Sequence, residues 1–179
     1  MIESVDKRMP NVMFKGMAFM FRLRDFLEPR SKVLDEVEIK PGYHVLDYGC
    51  GPGGYIAETA ERVGESGMIY ALDIHPLALQ SVAGIARREG LTNVETILSE
   101  CKTGLPDGSL DLVLLYDIFH MLSDPQAILT ELHRVLKAGG ALSFHDPHMR
   151  EDDIVAGVTG SHLFRLAQKG EYIYGFAPI

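Results

Sequence analysis

Only two of the 179 residues are cysteines, Cys50 and Cys101, too few for a disulfide framework or a four-thiolate metal centre. A reduced, cytoplasmic setting is therefore expected. Positive charge is also scarce: 17 Lys and Arg stand against 25 Asp and Glu, a formal net charge of −8. That balance argues against steering toward nucleic acid or an anionic membrane, although a local basic patch stays compatible with it. No uninterrupted apolar run approaches the ~20 residues of a membrane span. The opening "MIESVDKRMP" mixes acids and bases before any apolar run, unlike a signal peptide. Repeats, low-complexity tracts and linkers are missing too, so the length suits one domain over residues 1–179 with a substantial core. Apolar residues at 46% and charged residues at 23% are ordinary for a globular chain.

What is present falls into two parts. In "NVMFKGMAFMFRLRDF", from Asn11 to Phe26, apolar residues recur every three or four positions, predicting an amphipathic helix weakened by Gly16. Pro29 should end it, and "RSKVLDEVEI" predicts a second short helix reaching the turn at Pro41-Gly42. Residues 1–40 thus read as a helical cap on a core of 41–179. In that core, short apolar runs ("YHVLDY", "GMIYALDI", "NVETILS", "LDLVLLYD", "GALSFHD") alternate with helical stretches ("YIAETAERV", "PLALQSVAGIARRE", "PQAILTELHRVLKA"). Pro76 and Pro125 suit the first turn of a helix. Alternation of this kind predicts a doubly wound α/β fold with a mostly parallel sheet. Near the end, Lys169-Gly170 between two extended segments predicts an antiparallel hairpin on the sheet edge.

"LDYGCGPGGY", residues 46–55, lies between the first core strand and the first core helix, where such sheets bring bare backbone closest to a ligand. Gly49, Gly51 and Gly53 permit tight turning and keep side chains out of the way. About twenty residues further on, Asp73 closes the second strand, where an acid can accept from both hydroxyls of a ribose. A nucleoside is thereby predicted. The glycines run G-x-G-x-G-G rather than G-x-G-x-x-G, and Asp47 precedes them. A carboxylate there repels a pyrophosphate and suits an amino group or a cationic centre. Both features point away from a nicotinamide-dependent oxidoreductase.

"VLDYGCGPGGY" resembles the first motif of class I S-adenosylmethionine-dependent methyltransferases. "ALDIHP", "GLPDGSLDLVLLYDIFHML" and "ILTELHRVLKAGGALSF" resemble that family's later motifs, in its order, so the likeness covers about residues 40–179. It is nearest to small methyltransferase-domain proteins of the ubiquinone/menaquinone-biosynthesis type. The resemblance implies a Rossmann-like, seven-stranded sheet and S-adenosylmethionine as cofactor. Asp47 and the backbone of Gly49, Cys50, Gly51 and Gly53 would hold the methionine part; Asp73 would take the ribose and Ile74 pack on the adenine. In "SECKTG", Ser99, Glu100 or Cys101 would meet the adenine amino group. Tyr116 and Asp117 match positions near the transferable methyl, and His120 matches a histidine common in the subfamily. Tyr116 could equally only pack on the cofactor, and His120 only brace its helix.

Methyl transfer from a sulfonium is an in-line displacement whose main demand is alignment, which can contribute ~7–11 kcal/mol. A hydroxyl acceptor would need a general base, for which His120 and His145 are the candidates; a thiolate or carbanion needs none. "FHDPHMRED" groups His145, Asp146 and His148, but strand alternation fixes no common face for a metal, and the family is metal-independent. A small-molecule acceptor is expected. Protein or RNA methylation, or a non-catalytic S-adenosylmethionine-binding module, are the alternatives; the acidic balance and the absence of an "NPPY"-like sequence disfavour RNA. Met and Phe in the N-terminal helix offer an adaptable apolar wall over the cofactor.

Overall fold

A computed structural model describes residues 8–27 and 30–179, so residues 1–7 and the expected helix stop at Pro29 lie outside the described residues. Two helices lead, α1 (Asn11–Leu27) and α2 (Ser31–Asp35), followed by β1 (His44–Tyr48), α3 (Ile56–Val63), β2 (Met68–Asp73), α4 (Pro76–Glu89) and β3 (Val94–Leu98). Then come β4 (Leu110–Tyr116), α5 (Pro125–Val135), β5 (Leu136–His145), α6 (Glu151–Thr159), β6 (Phe164–Lys169) and β7 (Tyr174–Pro178). The strands form one seven-stranded sheet in the order β3-β2-β1-β4-β5-β7-β6. Its first five strands are parallel, and β7 runs antiparallel to both β5 and β6. This is the doubly wound, Rossmann-like α/β class with the terminal hairpin that the sequence predicts.

Alternation within strands builds the two faces. Along β4, Leu112, Leu114 and Tyr116 face one core with Ile56, Val63 and Val82 from α3 and α4. Val113 and Leu115 face the other, with Ile128 and Leu132 from α5 and Ile154 and Val158 from α6. Burying each such side chain contributes about 1.5–3 kcal/mol relative to exposure. Buried on both faces, β4 reads as a continuous apolar run rather than an alternating one. Helix starts follow local chemistry: Pro76 and Pro125 sit in first turns, and His75 and Asp124 accept hydrogen bonds from Leu77 N and Ala127 N as side-chain caps.

Helix α1 continues through Gly16 as expected, with Phe14 buried at 5% exposure, since packing outweighs a glycine's propensity cost. Three boundaries differ from the sequence reading. Helix α2 stops at Asp35, because the Glu36 carboxylate accepts from the backbone of Glu171, Tyr172 and Ile173 at 2.9–3.1 Å and is tied to the β6–β7 turn. Helix α5 ends at Val135 rather than Ala138, since Leu136 already pairs with Leu110 of β4. Helix α6 replaces what reads as loop after His148. Its first turn is Glu151, Asp152 and Asp153, a helix-start signal through the macrodipole. Among the described residues no helix is long and apolar enough to cross a membrane.

Candidate active site

Beyond the carboxyl ends of β1, β2 and β4 lies a cavity of about 220 Å³. The glycine loop is its floor. Gly49, Gly51 and Gly53 all have positive φ, at 76°, 51° and 86°, a region that side chains other than glycine's seldom enter. They serve different ends. A Cβ on Gly49 would collide with Ile118, and one on Gly53 with Val82 and Ile85, so these two let the loop pack against β4's exit and α4. Around Gly51 no protein atom lies within 4 Å of a Cβ position, leaving its backbone bare toward the cavity. Gly49 N and Cys50 N both donate to Leu72 O, and Ser81 of α4 donates to Pro52 O at 2.8 Å, so the loop is fixed before any ligand arrives.

Asp47, the last but one residue of β1, is 3% exposed, and its Oδ2 is buried with no hydrogen-bond partner among the described residues. Burial pushes its pKa up to about 7, the Arg30 guanidinium opposing and the Asp73 carboxylate adding to the rise. A bare buried carboxylate oxygen at a cavity wall is matched by a cationic or ammonium group. Asp73 ends β2 with Oδ2 accepting from Gly51 N at 2.9 Å and Oδ1 from His75 N at 2.7 Å, each oxygen keeping a further lone pair for a ribose hydroxyl. Burial raises its pKa, and those backbone bonds oppose the rise. Asp73→Ala is expected to weaken binding of an adenosyl ligand by at least about tenfold. Titration calorimetry would check this, and unchanged affinity would contradict the ribose assignment.

The roof comes from the N-terminal segment. Met9, Phe14 and Met17 line the cavity together with Ile74 and His75. Phe14 stacks on the His75 ring, centroids 4.3 Å apart. His75 Nδ1 accepts from Leu77 N, so the ring proton sits on Nε2 and donates to Met9 O at 3.0 Å. Of the three residues that could meet an adenine amino group, Glu100 lines the cavity, its carbonyl held by Tyr48 Oη at 2.9 Å. Cys101 turns away to pack on the core beside β4 and α5, and Ser99 Oγ accepts from Cys101 N, so neither lines the cavity. Cys50 does line it, with a thiol that burial holds in the protonated form.

At the exit of β4 the expected catalytic groups separate. Tyr116 lines the cavity, but its hydroxyl is buried 2.7 Å from Ser143 Oγ and burial pushes its pKa up. His145 and His120 do not line the cavity. His145 Nδ1 donates to Tyr172 O at 2.6 Å, leaving Nε2 4.0 Å from Asp117 Oδ1. His120 Nδ1 donates to the buried Asp146 at 2.8 Å, with the His148 ring 4.8 Å from its own. His145 at the end of β5 and Asp146 just past it thus meet different partners, and no metal-capable group of three such residues occurs among the described residues. Asp117, which does line the cavity, has φ 56°, backbone strain of a kind that gathers at functional sites. Sequence reasoning missed Arg30, another lining residue, because nothing periodic or motif-like marks "EPRS".

A parallel sheet of this order, a bare glycine loop after β1 and an acid at the end of β2 define a nucleoside-binding α/β protein. A family model described as "Methyltransferase domain" matches residues 39–165. The chain belongs to that family, as its resemblance to class I S-adenosylmethionine-dependent methyltransferases implies. A SAM-dependent methyltransferase from Aquifex aeolicus is similar throughout, with a TM-score of 0.79 and 30% identity over 95% of this chain and 98% of that one. Aklanonic acid methyltransferase DauC from Streptomyces sp. (strain C5) is 31% identical over 128 residues, 70% of this chain and 58% of its own length. Demethylmenaquinone methyltransferase from Geobacillus stearothermophilus is 30% identical over 128 residues, 71% of this chain and 55% of its own. The chain spans about half the length of the curated relatives it matches.

Proposed function

We propose that this protein transfers the methyl group of S-adenosylmethionine to a small-molecule acceptor. The observation that carries the reading is the pairing of two carboxylates in one cavity: Asp47, with a buried oxygen lacking a partner among the described residues, and Asp73, anchored by Gly51 and His75. Asp47 would receive the ammonium of the methionine part, Asp73 the ribose, Ile74 and Glu100 the adenine. The cofactor supplies an activated methyl on a sulfonium, so alignment is the chain's main task. Two relatives are named for small molecules, aklanonic acid and demethylmenaquinone, which supports an acceptor of that size.

On the acceptor side the cavity offers Ile118, Met121 and Leu122 as apolar walls and Asp117 as a polar group. Asp117 is placed to take a proton from an O–H or N–H acceptor. His145 stands behind it, with Nδ1 donating to Tyr172 O and Nε2 4.0 Å from the Asp117 carboxylate. Tyr116 would pack beside the reacting centre, and His120, held by Asp146, would brace the turn after β4. The test is transfer of labelled methyl from S-adenosylmethionine into a fractionated lysate, where counts are expected in small molecules. Counts in protein or RNA would overturn the acceptor class, and no incorporation would favour a non-catalytic binding module. Asp117→Asn, which tolerates the left-handed backbone, is expected to keep donor affinity and lose about 100-fold or more in transfer rate; an unchanged rate would remove Asp117 from the chemistry.

A further inference from the structure

Glu36 closes α2, and the Tyr172–Ile173 peptide sits where the chain turns from β6 into β7; both lie outside residues 39–165 that the family model matches. Their meeting is close and directional. Glu36 Oε1 accepts from Glu171 N at 3.0 Å, and Oε2 accepts from Tyr172 N at 2.9 Å and Ile173 N at 3.1 Å. Successive backbone N–H groups turned toward one carboxylate form a concave seat for an anion. The turn is shaped for its occupant, since a Cβ on Gly170 would collide with Glu36 Cδ and Oε2. A further bond, from Gln168 Nε2 to Glu36 O at 3.2 Å, ties the same two segments.

One peptide unit of that seat is engaged at both ends. Its N–H, on Ile173, donates to Glu36 Oε2, and its carbonyl, Tyr172 O, accepts from His145 Nδ1 at 2.6 Å. A trans peptide is planar and points these two groups in opposite directions, so Glu36 and His145 stand on either side of one rigid plate. Hydrogen bonds in series polarise one another. A negative charge on the N–H side therefore makes the carbonyl a better acceptor for the Nδ1 proton. Which ring nitrogen of an imidazole carries the proton is set by the hydrogen bonds the ring makes. Asp117 Oδ1, 4.0 Å from Nε2, pulls the other way and favours a proton on that nitrogen. The Tyr116 ring stands edge-on to the imidazole at 6.0 Å, with its hydroxyl taken by Ser143.

Resting on the reading of Asp117 as the group that takes the acceptor's proton, we propose that Glu36 is a positioning residue for the transfer step: through the Tyr172–Ile173 peptide it holds the His145 proton on Nδ1 and keeps Nε2 open beside Asp117. The proton balance closes within the chain. As the acceptor atom bonds to the methyl carbon, the carbon–sulfur bond breaks and its electron pair stays with sulfur. The acceptor's proton goes to Asp117 and from there to His145 Nε2. The resulting imidazolium donates from both nitrogens, Nδ1 to Tyr172 O and Nε2 to Asp117, which is a carboxylate again. A ring already protonated on Nε2 has no place for that proton on the side of Asp117. The end of α2 and the β6–β7 turn, far apart in sequence, thus decide whether the base is restored.

The experiment is long-range proton–nitrogen NMR of the full chain with labelled histidines, at a pH of about 8.5 where imidazoles are neutral. The His145 signals are assigned by their loss in His145→Asn. The unmutated protein is expected to show the Nδ1–H tautomer at His145, and Glu36→Gln to move it mainly to Nε2–H. Gln168→Ala, which releases the other tie between the same segments, should leave it unchanged. In Glu36→Gln, labelled methyl transfer into the small-molecule fraction of a lysate should fall about tenfold or more, while S-adenosylhomocysteine affinity by calorimetry stays within about twofold. Retained affinity also shows that the variant is folded. If it does not fold, Glu36→Asp, one methylene short of the N–H groups, is expected to show the same tautomer shift. An Nε2–H ring in the unmutated protein, an unmoved tautomer in the Glu36 variants, or a moved tautomer with an unaltered transfer rate would overturn the positioning role. A full rate in Asp117→Asn beside a moved tautomer in Glu36→Gln would instead overturn the reading of Asp117, and with it the purpose given to Glu36.

Discussion

Replacing Asp47 by asparagine is expected to stabilise the empty protein while largely abolishing its hold on the donor. The carboxyl is buried and its pKa is pushed up to about 7 from an ordinary 3.8, so the folded state binds the proton more tightly than the unfolded chain does. For an acid whose folded pKa is raised, stability is greatest below the unfolded value and is lost as pH climbs from about 4 to about 7. At pH 8 the full cost applies, at most roughly 4 kcal/mol. Asparagine keeps the shape and removes the charge, so a gain of about 2–4 kcal/mol, or about 5–15 °C in melting temperature, is expected at pH 8. Donor affinity should fall by about 100-fold or more, since a buried charge partner is lost. In the unmutated protein affinity should drop about tenfold per pH unit below 7, as the proton competes with the ammonium for Asp47. Thermal melts and calorimetry from pH 5 to 9 would check all three, and a less stable variant with unaltered affinity would contradict the role given to Asp47.

Glu131 carries the second large effect, in the opposite direction. Its side chain on α5 is fully buried, accepting from Thr103 N at 2.8 Å, Thr103 Oγ1 at 2.7 Å and Arg134 Nη2 at 2.7 Å. Lys102 approaches at 3.3 Å, and Arg134 also pairs with Asp107. Burial alone would raise its pKa, but the bonds from Arg134 and Thr103 outweigh it and bring the value down to about 2 from 4.5. Removing one member of such a network leaves buried donors unmet, so Glu131→Ala is expected to cost about 3–5 kcal/mol, near 10 °C in melting temperature. The sign with pH is that of a depressed acid: the contribution is complete above pH 4.5 and is lost as pH falls toward 2, a span of roughly 3 kcal/mol. Chemical denaturation at pH 7 and at pH 3 would show the difference from the unmutated protein shrinking in acid; a constant difference would argue that packing, not charge, is at stake. Because Thr103 ends the "SECKT" segment that brings Glu100 to the cavity, donor affinity is expected to weaken as well.

The α/β alternation, the glycine loop and Asp73 were legible in the sequence because each is local: an apolar period, a run of glycines, an acid at a strand end. The doubly wound order follows from handedness once strands and helices alternate. Less local facts were hidden. Helix α5 looked longer than it is because Leu136, Lys137 and Ala138 suit a helix as well as a strand, and pairing with Leu110 decides between them. Cys101 stood as good a chance as Glu100 of meeting the adenine, since one residue of offset in an irregular segment reverses which side chain faces in. His145, Asp146 and His148 are neighbours in sequence, yet His145 at the strand's end meets Tyr172 and Asp146 just beyond it meets His120. Arg30 and the partnership of Asp117 with His145 each join segments far apart in the chain, and no window of sequence contains them.

The roof over the cavity bears on kinetics. Met9, Phe14 and Met17 lie over the place assigned to the donor, and Phe14 and Met9 are held by the single imidazole of His75. A ligand beneath them leaves when that segment lifts, so residence time is governed by a local opening of the chain rather than by diffusion alone. Substitutions in α1 would then alter how quickly spent cofactor is exchanged while every motif residue stays in place. Two proteins with identical glycine loops could differ in turnover through nothing more than the grip of a helix that no motif describes.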